Sequence, residues 1–233
     1  MRYMSWEEWF GFPSDPFDPK PLQTGEQFTH LLVRTKPIVK RIEPLINQID
    51  KESFCKGILG DRGIGKSTVL RYCVHLATKK MAIPVFVQFH PAGIAKAKHP
   101  ILETLIEIIR QIVQQEIINI YEMYPKTFQK YQSTLMKIAK YVGLQWQEIE
   151  GFYRDPFEIP RPDEKLLRST LWSTLDFAKR EGIRSVIAID NLDKLPFEVA
   201  KGFLGGMNAQ PLFEHLMEMG CSIFVAIDPH IEG

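Results

Sequence analysis

Cysteine is scarce: Cys55, Cys73 and Cys221 are the only three in 233 residues. They lie far apart and form no Cys-x-x-Cys pair. That excludes a disulfide-stapled secreted framework and any zinc motif legible in the sequence, and it points to a reducing, cytoplasmic compartment. An excess of one charge is also missing, since 29 Lys+Arg against 28 Asp+Glu leave a formal +1. Contact with nucleic acid or an anionic membrane would therefore need a local patch. There is no membrane-length apolar run. The longest candidate, residues 100–120, is broken by Glu103, Glu107, Arg110 and several glutamines. The first residues, MRYMSWEEWFGFP, lack the basic and apolar regions of a signal peptide. No internal repeat or low-complexity tract is present.

What is present has the make-up of a globular domain: 45% hydrophobic, 24% charged and 11% aromatic residues. Residues 1–30 set Trp6, Trp9, Phe10, Phe12 and Phe17 among Pro13, Pro16, Pro19 and Pro21, which forbids a long helix and predicts an extended arm pinned by its aromatics. Apolar residues at spacings of three and four predict helices over 36–49, 66–80, 100–121, 126–150, 163–181 and 198–219, the last with a break near Gly205–Gly206. Between them lie the strand-like runs 55–60, 84–89, 185–189 and 222–227. The run SVIAI is apolar on both faces, as a central parallel strand requires when helices cover both sides. The alternation predicts an α/β fold, a doubly wound, mainly parallel sheet flanked by helices, over residues 31–233.

Gly60–Ser67, GDRGIGKS, matches G-x-x-x-x-G-K-[ST] between a predicted strand and a predicted helix. The physical reason for the pattern is phosphate binding. Gly60, Asp61, Arg62, Gly63, Ile64 and Gly65 form a loop whose N–H groups can turn inward on phosphate oxygens, with Thr68 in the first helical turn behind it. Lys66 then reaches the β- and γ-phosphates of ATP, and Ser67 offers its hydroxyl to Mg²⁺. The second candidate is VIAIDNLDKL, 186–195. An aspartate at the carboxyl end of an apolar strand lies at the sheet edge where ligands of open α/β folds bind, so Asp190 is a candidate Mg²⁺ ligand.

Together these segments resemble the P-loop NTPases of the AAA+ and STAND superfamilies. LLVRTKPIVKRIEPLI, 31–46, resembles the segment that precedes the P-loop in these ATPases and lines the adenine; Val33 stands where a glycine is usual, so only Arg34 and the following helix match. The opening WFGFPSDPFDPKPL is similar to the start of several prokaryotic members. FVAIDPH, 224–230, occupies the sensor-1 position, with Asp228 as the polar sensor. The resemblance implies ATP and Mg²⁺ as ligands, ADP as product and self-association or partner subunits, with an arginine supplied by a neighbour. AAA+ enzymes carry Asp-Glu at the second site; here Asn191 follows Asp190 and cannot act as a base. Asp193, three residues on, fits the STAND variant in which a second aspartate handles the attacking water; the alternative is a cap for the turn before Pro196.

Lys66 and Asp190 are 124 positions apart, more than a minimal core of this kind needs. The surplus is read as a helical insertion at about 119–163. The chain stops soon after the sensor-1 strand, so a C-terminal lid is expected to be absent. Lys96, Lys98 and His99 form a basic loop that either contacts DNA or is simply solvated. Two functions stand open: an ATP-hydrolysing motor or switch, and a nucleotide-binding scaffold with negligible turnover. A small-molecule kinase fits poorly, because 119–163 holds only Arg154 and Arg161 where an acceptor lid would cluster arginines.

Overall fold

The computed structural model describes residues 38–61, 63–88, 90–147, 151–154, 163–205 and 209–227. The arm at 1–30, Arg34, Arg62 and Asp228 lie outside the described residues. A π-helical turn, Ile38–Ile42, runs into the short helix α1, Glu43–Ile46. The core then alternates: β1 (Cys55–Leu59), α2 (Lys66–Lys79), β2 (Ile83–Val87), α3 (Pro91–Ala95) and the long α4 (Pro100–Met123). There follow α5 (Pro125–Tyr141), the hairpin strands β3 (Leu144–Gln147) and β4 (Gly151–Arg154), α6 (Glu164–Arg180), β5 (Ser185–Ile189), α7 (Phe197–Leu204), α8 (Ala209–Glu218) and β6 (Cys221–Ile227).

Strands β1, β6, β5 and β2 form one wholly parallel sheet in that order. Successive side chains of a strand face opposite ways, and both sides of the central strands β5 and β6 are dry. Ile187 and Ile189 join Val85, Val87, Ile223 and Val225 in a large core with α4, α6, α7 and α8. Val186 and Ala188 join Phe224 and Ala226 in a smaller core against Leu70, Cys73 and Ala77 of α2. That two-sided burial is why β5, after the buried Ser185, runs on as the wholly apolar VIAI.

The outer side of β2 is closed by side chains. Gln111 Nε2 donates to the Gln88 carbonyl (2.7 Å), and the Gln88 N–H donates to Gln111 Oε1 (2.9 Å). Gln115 repeats the exchange with Phe86, at 2.8 and 2.7 Å. Asn119 Nδ2 donates to the Pro84 carbonyl at 2.9 Å, and Pro84 has no N–H to satisfy. Four residues of helix advance about 6 Å and two of strand about 6.6 Å, so every fourth residue of α4 meets every second residue of β2. The helix thus does the work of a fifth strand.

The surplus between Lys66 and Asp190 is partly helical and partly β. Helix α5 ends at Tyr141, and β3–β4 form an antiparallel hairpin with Trp146 opposite Phe152. Tyr121, Phe128, Trp146 and Phe152 pack edge-on and stacked at 4.9–5.9 Å between ring centroids, which fastens the hairpin to α4 and α5. None of the helices in the described residues is long and apolar enough to cross a membrane.

Candidate functional site

The loop from Gly60 to Gly65 joins the carboxyl end of β1 to α2. Gly60 stands at φ 155°, a backbone conformation that residues with side chains rarely adopt, and a Cβ there would also displace the Ile64 side chain. Gly65 sits at φ 95° as it enters α2, a left-handed conformation that L-residues with side chains resist. Lys66 follows as the first helical residue and is buried. Its ammonium donates to the carbonyls of Gly60 (2.6 Å) and Asp61 (3.0 Å) and pairs with Asp193 Oδ2 at 2.9 Å. Ser67 and Thr68 are half-buried behind it, while Asp61, Gly63 and Ile64 face solvent.

Across the sheet edge, β6 lies between β1 and β5, and Ile189 is level with Val225 and through it with Gly57. Two strand spacings, about 10 Å, separate the loop's strand from Asp190. The long Lys66 side chain helps close that gap. Asp190 is 2% exposed; its Oδ1 accepts the Asn191 N–H at 2.9 Å, and its own N–H donates to the Val87 carbonyl at 2.9 Å. Asn191 stands at φ 71°, ψ 4°, and asparagine tolerates this left-handed corner better than most residues. The chain then turns through the 3₁₀ segment Leu192–Lys194, which swings Asp193 back under the loop to Lys66. Asp193 does not cap α7, which begins at Phe197 behind the N-cap Pro196 and has no side-chain cap.

The structure therefore brings Lys66, Ser67, Asp190 and Asp193 to one edge of the sheet. Lys96, Lys98 and His99 lie apart on the exposed turn between α3 and α4. A cleft of 530 Å³ beyond Gln88 mixes Arg110 and Arg154 with Glu103 and Glu107, so it has no single sign to attract an anion. Arg71 is near the site and was not among the expected residues; its only sequence signal is the four-residue step from Ser67 along α2, which puts both on one helical face.

At this edge of the sheet the buried carboxylate oxygens Asp190 Oδ2 and Asp193 Oδ1 have no hydrogen-bond partner. Buried carboxylate oxygens are seldom left so, and a cation with its waters would satisfy them. The described residues hold no cluster of three or more His, Cys, Asp or Glu able to cage a metal by themselves. The donor set fits a Mg²⁺ ion that arrives with phosphate and water as most of its ligands.

Compared with protein-family profiles, residues 35–213 match the KAP family P-loop domain. The chain belongs to the KAP family. No curated protein and no solved structure matches it. The KAP match takes in Gly60–Ser67, Asp190 and Asp193 and ends before β6. KAP membership and the four-stranded parallel sheet make this a P-loop NTPase fold, without singling out AAA+ or STAND.

Proposed function

We propose that the chain binds Mg²⁺-ATP and hydrolyses it, working as an AAA+/STAND-type motor or switch. One observation carries the reading: Lys66 and Asp193, distant in sequence, meet at 2.9 Å beside Asp190 at the carboxyl edge of the sheet. The loop N–H groups and Lys66 hold the phosphates, and the N-terminus of α2 adds its positive dipole end. Ser67 and Asp190 would hold Mg²⁺, which when bound neutralises charge on the β- and γ-oxygens. Asp193 orients a water whose oxygen attacks the γ-phosphorus; the bond to the β-bridging oxygen breaks, and ADP and phosphate leave. Removing Lys66 tests the binding half. Lys66→Ala should weaken a fluorescent ATP analogue at least tenfold, about 1.4 kcal/mol, and unchanged affinity would refute the assignment.

A second reading is favoured by Asn191, a neutral residue where AAA+ enzymes place a glutamate. In it ATP orders a scaffold and turnover is negligible. Phosphate release with and without DNA separates the readings: turnover supports the motor, and a DNA-stimulated rate supports contact through Lys96, Lys98 and His99. If a neighbouring subunit supplies an arginine, the rate per chain should rise with protein concentration.

A further inference from the structure

Arg71 is held at unusual expense for a residue outside the motif. Its guanidinium carbon lies 4.0 Å from the centroid of the Phe86 ring, and Nη2 donates to Gln88 Oε1 at 3.1 Å. The backbones of Phe86 and Gln88 are themselves pinned by Gln115 and Gln111. Stacking plus a fixed acceptor costs a long side chain its rotamer freedom, yet Nε is buried with no hydrogen-bond partner among the described residues. The nearby charge is Asp190. Gln88 follows β2 as Asp190 follows β5, and Val87 and Ile189 are paired. Burial pushes the Arg71 pKa down, and the Asp190 carboxylate draws it back up. Asp190 Oδ2 is likewise buried without a partner. One atom of each, Arg71 Nε and Asp190 Oδ2, thus lacks a hydrogen-bond partner, and the two side chains form no ion pair.

We propose that Arg71 is a positioning residue of the nucleotide site, fixed by Phe86 and Gln88 so that its charge, acting across the gap without a hydrogen bond, biases the Asp190 carboxylate toward the orientation that receives Mg²⁺. It touches neither metal nor phosphate. A positioning role has a distinct signature, because removing a plain neighbouring cation should make Mg²⁺ bind more easily, whereas losing the orientation of its ligand makes Mg²⁺ bind less easily.

The test is the Mg²⁺ concentration for half-maximal binding of a fluorescent ATP analogue by the full chain, beside binding in EDTA and melting without nucleotide. Arg71→Gln should raise the Mg²⁺ requirement about tenfold while leaving Mg²⁺-free affinity unchanged. Arg71→Lys, which keeps the charge but loses the planar fork, should recover only part. Gln88→Leu should shift the requirement in the same direction, and the double variant should be no worse than Arg71→Gln alone. A lowered requirement would make Arg71 a mere neighbouring charge, and lost Mg²⁺-free affinity would make it a phosphate ligand. An unchanged requirement, with or without a lower melting temperature, would make it structural; each of these three overturns the proposal. If Arg71→Gln does not fold, Arg71→Lys and Gln88→Leu decide by the same readout. Arg71 takes this role only if Gly60–Ser67 and Asp190 form the Mg²⁺-nucleotide site proposed above, and the two ideas fail separately. Undiminished binding by Lys66→Ala sinks both; loss there with an unmoved Mg²⁺ requirement in the Arg71 variants sinks only this one.

Discussion

Lys66 and Asp193 neutralise each other in a buried corner, and a phosphate arriving there competes with the carboxylate for the same ammonium. Asp193→Asn removes the competitor and the negative charge beside the phosphates. Under the proposed mechanism it should bind an ATP analogue several-fold more tightly while turnover falls by about 10²–10⁴. Weaker binding in a titration would mean that Asp193 is not a counter-ion to be displaced. Another single residue makes stability depend on pH. Glu116 on α4 is fully buried; burial pushes its carboxyl up to about 8, and the nearby Ser185 offsets that only in part. The unfolded chain ionises this group near 4.5, so between 4.5 and about 8 the folded state binds more protons than the unfolded one. Stability is therefore greatest below 4.5 as far as this group is concerned, falls as pH rises, and levels off above about 8. At about 1.4 kcal/mol per unit the span is worth at most about 5 kcal/mol. Glu116→Gln should flatten the melting temperature across this range, with its largest gain at pH 8; an unchanged slope would show that the group ionises freely in the fold.

At the scale of elements, the amide row on α4 makes a stability claim. Gln115→Leu leaves the Phe86 N–H and carbonyl without partners on a covered edge, which should cost about 2–4 kcal/mol in urea unfolding. Gln132→Ala, on the exposed side of α5, should stay within about 0.5 kcal/mol. Equal effects would mean that water reaches the β2 edge. Such a row is hard to foresee: along the sequence Gln111, Gln115 and Asn119 read only as interruptions of an apolar helix, and what they satisfy is set by a strand over twenty residues away. The central strands were legible because two-sided burial writes itself as an unbroken apolar run, and the P-loop because few residue types permit its turn. The hairpin β3–β4 was not, since Leu135, Ile138 and Val142 keep a helical spacing up to Gly143, whose φ of 79° breaks the pattern without announcing a strand. At the site, Lys66, Ser67, Asp190 and Asp193 could be named from the sequence. The meeting of Lys66 with Asp193 could not, because it depends on Asn191 turning left-handed.

For the whole molecule, a ligand that binds only the folded chain should raise its melting point. At a hundred times its Kd, Mg²⁺-ATP contributes about 2.7 kcal/mol, which for a chain of this size is about 5–10 °C by calorimetry. Lys66→Ala should lose most of that shift, and a full shift in the variant would place the ligand elsewhere. The match between α4 and β2 bears on how the chain can change in length. A helix turns about 100° per residue, so one residue inserted between Gln111 and Gln115 would swing Gln115 and Asn119 off the strand together. Insertions should therefore be far better tolerated in the exposed turn at Lys96–His99, which lies outside the paired stretches, than anywhere from Gln111 to Asn119.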